Sequence, residues 1–342
     1  MTIEIDQDEL ARGAVQPDKL EIIAENIQSQ GYVVVANIVS EDTQALLNRA
    51  IIEDAERVSQ RTRPTRHEKN TGPGHLQLGL RRHAPYVRSD LLTNPVIEQI
   101  VTRVLGAGAW LGFYNGNVNL PGSGYQKVHY DRPYSWLTEE EATEDGQSWP
   151  PPTTTLSCSI ALSDITEENG ATEIYPKSHH ETEVTKWPLG ERISNHPELL
   201  EAWQPPARMP IPAGGICFRD PRMWHRGVPN TGHTPRPMIA LTYHAQACLH
   251  WRGRLIRKLS EDIKSQCNDD PSLKILDDGT LGDARLVFDA SAAQMFEQAD
   301  NLHGINRNVR FLEAPARVNH FEDAHQIGGA RVSYSGEIGP DV

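Results

Sequence analysis

The chain has 342 residues, of which 38% are hydrophobic and 23% charged. That balance supports a buried core and argues against wholesale disorder. Lys and Arg number 33 against 46 Asp and Glu, a formal charge of −13. Such a surface repels a polyanion, which argues against nucleic acid as the main partner while leaving room for a local basic pocket.

Four cysteines, Cys158, Cys217, Cys248 and Cys267, form no C-x-x-C pair and read as reduced thiols. The opening stretch MTIEIDQD is acidic and lacks the apolar core of a secretory signal. No run approaches the ~18 consecutive apolar residues of a membrane span. The expectation is a soluble, cytoplasmic protein with no membrane partner.

In chain order, residues 17–30 predict a helix, with Leu20, Ile23 and Ile27 on one face and Gly31 as the stop. Residues 32–35 (YVVV) form a short β-rich run. Ser40 is placed to cap a second helix that carries Leu46, Leu47, Ala50 and Ile51. Residues 61–85 are rich in Arg, His, Gly and Pro and read as a long loop. Asn94 and Pro95 open a third helix, which Gly106 ends.

From about residue 110 short β-forming runs alternate with turn residues. The expected strands are 110–119, 125–131, 154–162, 171–175, 208–211, 215–219 and 236–244, a pattern that suggests a sandwich, barrel or jelly roll. Residues 181–206 read as an insert with a short helix from Pro197 to Trp203. Helices are expected at 252–265 and near 290–300. Residues 1–250 thus form one β domain with N-terminal helices. Residues 251–342 form a helical or irregular extension, a lid or a contact between copies of the chain.

The chemistry concentrates at His129-Tyr130-Asp131. In a strand, residues i and i+2 share a face, so an imidazole and a carboxylate meet at one point. A second histidine would complete the two-His, one-carboxylate set that suits Fe(II) with open positions. His225, between two predicted strands, is the best-placed third ligand. A His-x-acid triplet alone is weak: about two are expected by chance and four occur. Only the first uses Asp and lies within a strong strand pattern. Arg236 follows His225 across a turn. An arginine fork binds a carboxylate through two hydrogen bonds, so a diacid could chelate the metal at one end and meet Arg236 at the other.

These residues, in this order, resemble the phytanoyl-CoA dioxygenase family of Fe(II)- and 2-oxoglutarate-dependent oxygenases. The resemblance covers roughly residues 18–250. It is carried by QGYVVV from Gln30 to Val35, Asn94-Pro95, Leu105-Gly106, PGSGYQKVHYD from Pro121 to Asp131, ENGATEIYPKSHH from Glu168 to His180, Trp224-His225 and Arg236. Lys177 stands where glycine is usual.

The resemblance implies a double-stranded β-helix (a cupin-like jelly roll), with Fe(II) held by His129, Asp131 and His225. It implies that Arg236 meets the distal carboxylate of 2-oxoglutarate and that Gln126 and Thr172 also contact this cosubstrate; Gln77 is a further candidate from the long loop. O2 is the oxidant. Asp131 fills the position that halogenating relatives leave small, so oxygenation or oxidation of a small organic molecule is expected, with release of succinate and CO2. Hydroxylation, desaturation and cyclisation are all open, and a role in secondary metabolism fits.

Tyr114, Tyr134 and Trp136 are candidate substrate contacts, against the alternative of ordinary packing. Arg81, Arg82 and His83 could meet an anionic substrate, or form a solvated loop. Two other readings remain open. One is a cupin-type metalloenzyme without 2-oxoglutarate, against which Arg236 and Gln126 argue. The other is a catalytically silent jelly roll, whose signature would be a missing ligand. Motifs of α/β-hydrolases, zincins and phosphate-loop enzymes are absent.

Overall fold

The computed structural model describes residues 2–245, apart from 60–72, 79, 81–84, 87, 108, 133, 135, 137, 188–191 and 204. The expected helices at 252–265 and 290–300, the extension 251–342, and Arg81, Arg82 and His83 lie outside the described residues.

Two elements precede the first expected helix. Strand β1 spans Thr2–Glu4 and helix α1 spans Gln7–Arg12. The acidic opening that lacks an apolar stretch is a capping box: Asp6 accepts from the Glu9 backbone at 2.8 Å, and Glu9 accepts from the Asp6 backbone at 3.0 Å. Helix α2 (Pro17–Gln30) starts with Pro at its first position, where no N–H is missed, and stops at Gly31, φ 87°. No side chain fits there, because a Cβ would lie 2.7 Å from His179 Nδ1.

Strand β2 (Tyr32–Ala36) and helix α3 (Glu41–Ser59) follow. The long loop is interrupted by a strand, β3 (His75–Leu78), and is followed by a short helix, α4 (Ser89–Leu92). Helix α5 (Pro95–Leu105) is capped by Asn94, whose side chain accepts from Val96 and Ile97 N–H at 3.0 and 3.3 Å.

The β region comprises β4 (Trp110–Asn119), β5 (Thr155–Ala161), β6 (Thr172–Ile174), β7 (Ala207–Met209), β8 (Ile216–Arg219), β9 (His225–Arg226) and β10 (Arg236–His244). Short helices α6 (Glu139–Glu144) and α7 (Pro197–Ala202) sit in the excursions between strands. Seven strands form one sheet in the order β1-β2-β8-β5-β10-β4-β3, and three form another in the order β7-β6-β9. The expected strand 125–131 is an extended segment that meets β9 through one bridge, His129 with His225. It thereby adds a fourth member to the small sheet. Strands β4, β10, β5 and β8 against 126–129, β9, β6 and β7 make a double-stranded β-helix, as expected.

Alternation assigns the faces. Leu156, Cys158 and Ile160 of β5, Ile239, Leu241 and Tyr243 of β10, and Ile216 and Phe218 of β8 pack with Ile23, Ile27, Leu47, Ile51, Ile97 and Ile100 of the helices. Each such side chain contributes about 1.5–3 kcal/mol of burial free energy. The opposite face looks into the space between the sheets. There Val34, Ala161, Cys217 and Met238 meet Ile174 and Met209 of the small sheet and close one end of the barrel. The outer face of the small sheet is covered by Trp224, Tyr175, Val128 and Tyr134 with Val184 and Ile193 of the insert.

A candidate metal and diacid site between the sheets

Two strand-paired stretches build the cluster. His129 and His225 exchange backbone hydrogen bonds at 3.0 and 2.9 Å, which brings their rings to 4.4 Å. The Asp131 N–H donates to the Pro221 carbonyl at 2.8 Å, tying the acid to the segment that leads into His225. His129, Asp131 and His225 each offer a ligating atom, and these atoms lie within 4.8 Å of one another. Asp131 Oδ1 is 3.7 Å from His129 Nε2, and Oδ2 is 3.4 Å from His225 Nε2.

The far ring nitrogens are fixed by backbone. His129 Nδ1 lies 2.7 Å from the Lys127 carbonyl, and His225 Nδ1 lies 3.0 Å from the Met223 carbonyl. At His129 a protonated Nδ1 donating to the carbonyl leaves the Nε2 lone pair for an ion, the orientation that metal-ligating histidines use; at His225 the Nδ1 lies between the Met223 carbonyl and the Arg219 guanidinium, which is 3.1 Å away. Ligand atoms about 2.1 Å from one ion sit about 3 Å apart when adjacent, so small side-chain movements close this group on a cation. The residues therefore fit a divalent metal.

Electrostatics agree. The side chains of His129 and Asp131 are 38% and 41% exposed, yet protein packs around them closely enough for burial to act on both. Burial, and then His225, push the His129 imidazole down to about 4, so it is neutral at pH 7. Burial works to raise the Asp131 carboxyl, but His225 and Arg219 outweigh it and hold the acid well below the usual carboxylate range. Arg219, at the end of β8, is the residue that sequence reasoning missed. Its Nη2 donates to Asp131 Oδ2 at 2.5 Å and its Nη1 lies 3.1 Å from His225 Nδ1.

Arg236 opens β10 and faces the same inter-sheet space, two residues before Met238. It is 4% exposed. Its Nη2 donates to the Gly170 carbonyl at 2.9 Å, and its Nε has no hydrogen-bond partner. Among the described residues no carboxylate neutralises it, and burial pulls its guanidinium down to about 10. A buried cation with an unused donor is a place built for an anion. Gly170 itself, φ 89°, has no room for a side chain: a Cβ would lie 2.2 Å from Asn119 Nδ2. Asn119 and His75 stand beside Arg236 in register across β4 and β3. Burial holds His75 below the ordinary imidazole value, with the Arg236 charge adding to it.

The other expected contacts divide. Thr172 lies two residues before Ile174, on the inter-sheet face of β6. Gln77 lies on the face of β3 opposite Leu76 and Leu78, which point to the helices. Gln126 uses its side-chain oxygen to accept from Gly227 N–H at 2.8 Å, which pins the ligand-bearing segment to β9. Tyr114 does not face the cavity. It packs with Leu241 among the helices and donates to the Tyr86 carbonyl at 2.6 Å, since its place in the alternation puts it on the far side of the sheet. Tyr134 lies outside the small sheet, its hydroxyl 2.7 Å from the His179 carbonyl. The Trp136 indole N–H is taken by Asp145 at 2.7 Å. Local packing and hydrogen bonding account for all three.

A double-stranded β-helix that brings together two imidazoles and a carboxylate, with a buried arginine between the same sheets, defines a class of jelly rolls with a candidate metal site. The sequence profile of the phytanoyl-CoA dioxygenase (PhyH) family matches residues 27–238. The chain belongs to that family. Among its relatives, "Dioxygenase trt7" of Aspergillus terreus is 28% identical over 159 residues, 46% of this chain and 54% of that protein. "Dioxygenase andF" of Emericella variicolor is 25% identical over 179 residues, 52% and 55% of the two chains. The chain thus spans about half the length of the curated relatives it matches. Among solved structures, AviO1 from Streptomyces viridochromogenes superposes with a TM-score of 0.49 at 17% identity, over 66% of this chain and 95% of that one. The epimerase SnoN, in complex with Fe3+, alpha ketoglutarate and nogalamycin RO, gives 0.48 at 18% identity, over 67% and 85%. No helix of the described residues is long and apolar enough to cross a membrane.

Proposed function

We propose that this protein is an Fe(II)- and 2-oxoglutarate-dependent dioxygenase that oxidises a small organic molecule, with a place in secondary metabolism. The observation that carries the reading is Arg236. A jelly roll that only held a metal would have no use for a buried, unneutralised guanidinium between the same two sheets. The family to which the chain belongs, and relatives named as dioxygenases, support it.

In this reading His129, Asp131 and His225 hold Fe(II). When bound, the iron supplies the oxidative chemistry: 2-oxoglutarate, O2 and a substrate C–H give succinate, CO2 and an alcohol, one oxygen atom going to each of succinate and substrate. The chain does the rest. The backbone carbonyls of Lys127 and Met223 keep both Nε2 atoms aimed at the ion. Arg236 pairs with the far carboxylate of 2-oxoglutarate and so orients its keto acid end toward the cluster. Thr172 and Gln77, both on inter-sheet faces, are placed to complete that pocket, and Gln126 fixes the strand that carries His129. The apolar floor of Val34, Cys217 and Met238 excludes water from the closed end.

The test is succinate formation from 2-oxoglutarate with anaerobically added Fe(II) followed by O2. Wild-type protein turns over slowly without substrate, and His225→Ala abolishes the signal. If wild-type protein gives no succinate, and its anaerobic Fe(II) complex shows no visible charge-transfer band with 2-oxoglutarate, the reading is wrong. A metalloenzyme independent of 2-oxoglutarate would then take its place.

A further inference from the structure

Arg219 offers no ligating atom to the cluster, yet its contact with Asp131 is shorter than that of either histidine. It sits on the inter-sheet face of β8, two residues beyond Cys217, and is 6% exposed. Its Nη2 lies 2.5 Å from Asp131 Oδ2, while Oδ1 accepts no hydrogen bond from a described residue. The second terminal nitrogen of the same guanidinium, Nη1, lies 3.1 Å from His225 Nδ1. The guanidinium has donors only, so it cannot itself ligate a cation. It is a fixed positive charge beside the single anionic ligand.

We propose that Arg219 is a positioning residue that reserves one oxygen of Asp131 for itself, leaving the other for the metal. It thereby weakens the metal's hold and strengthens that of the cosubstrate. The inference rests on the iron and 2-oxoglutarate reading of this site. Two effects set its sign. A fixed positive charge on the same carboxylate opposes the binding of a divalent cation, even at the effective dielectric of a protein site. The same charge favours a dianion arriving afterwards. Geometry acts in the same direction. With Arg219 gone, both Asp131 oxygens are free to turn onto the ion and occupy a position that 2-oxoglutarate needs. Loss of orientation alone would lower metal affinity, as removal of an outer hydrogen-bond partner commonly does, by about 10–100-fold. The proposal holds that charge and chelation outweigh it.

The experiment uses the full chain stripped of metal, with Co(II) as the probe. Co(II) is titrated first, followed by its visible absorption. 2-Oxoglutarate is then titrated into the Co(II)-saturated protein by calorimetry. For Arg219→Met the expected result is opposite in its two arms. The Co(II) Kd falls by about 3–10-fold and the 2-oxoglutarate Kd rises by about tenfold or more. Arg219→Lys keeps the charge and holds both constants within about threefold of wild type. A purely structural role would weaken both steps together, and that result overturns the proposal, as does no change in either. If Arg219→Met does not fold, Arg219→Gln removes the charge and keeps a donor, and the same opposed changes are required of it. Wild-type protein that binds no Co(II), or binds Co(II) but no 2-oxoglutarate, fails the underlying site assignment instead. The wild-type arms therefore separate the two failures.

Discussion

Replacing Arg236 with methionine separates function from stability, because the two effects have opposite signs. In the folded protein the guanidinium is depressed from its usual 12.5 to about 10 by burial alone. That difference corresponds to about 3 kcal/mol of desolvation borne by the native state. Against it stands one charged hydrogen bond, to the Gly170 carbonyl at 2.9 Å, worth about 1.5–3 kcal/mol. Methionine keeps most of the apolar stem and adapts to the space. The net expectation for the ligand-free protein is a change between about 0 and 2 kcal/mol toward greater stability, a Tm unchanged or raised by a few degrees. Binding goes the other way. Truncating one partner of a buried charge pair removes about 2–5 kcal/mol, a loss of about 30-fold to several thousand-fold in 2-oxoglutarate affinity. The assay is a thermal melt with Mn(II), with and without 2-oxoglutarate. Wild type gains stability from the diacid, and Arg236→Met starts as stable and gains none. A variant that melts about 10 °C lower, or one that still responds to the diacid, refutes the reasoning.

Three further outcomes are expected. Gly170→Ala places a Cβ in a left-handed backbone and 2.2 Å from Asn119 Nδ2; it destabilises by about 2–4 kcal/mol in urea titrations and also weakens 2-oxoglutarate binding, since Gly170 carries the tether of Arg236. Lys177 has φ 69°, so Lys177→Gly raises stability by about 0.5–1 kcal/mol with no change in turnover. His179 is fully buried with Nε2 2.9 Å from the Gln28 carbonyl, and burial pushes it down to about 4. Its folded value lies below the unfolded one of about 6.5, so its contribution is complete above pH 6.5 and is lost as pH falls toward 4, by about 1.4 kcal/mol per pH unit. Urea midpoints measured from pH 7 to 5 show this slope, and His179→Gln reduces it by one proton; an unchanged slope would contradict the burial argument.

Much of this was legible in the chain because the signals were local. Period-2 alternation and turn residues mark most of the strands, and Asn94-Pro95 with Gly106 brackets α5 to the residue. His129 and Asp131 could be paired by strand parity alone, and the structure does bring them to His225. Three kinds of feature were not legible. Strand β1 is three residues long and is held by parallel pairing with β2 across the sequence, so no local pattern announces it. The segment 125–131 has strand composition, but its ladder is reduced to one bridge by its sharp approach to β9. For Tyr114 the packing alternative holds, because proximity to the site along the chain says nothing about sheet face. Its parity relative to Leu241 decides that, and this depends on register. Arg219 could have been found from parity with Cys217, had the facing of β8 been known beforehand.

Among the described residues, the groups of the His129, Asp131 and His225 cluster come from two stretches. One runs from Gln126 to Asp131, the other from Arg219 to Gly227, and they are fastened to each other by the His129–His225 and Gln126–Gly227 pairs and by the Asp131–Pro221 bond. Helices α6 and α7 lie between these stretches in the chain, and no described residue between Asp131 and Arg219 joins the cluster. The cluster therefore behaves as a clasp whose two halves are joined directly to each other and not through what is threaded between them. In the proposed function, lengthening or exchanging either excursion changes what approaches the clasp without opening it, so substrate preference is free to diverge under mutation faster than the chemistry.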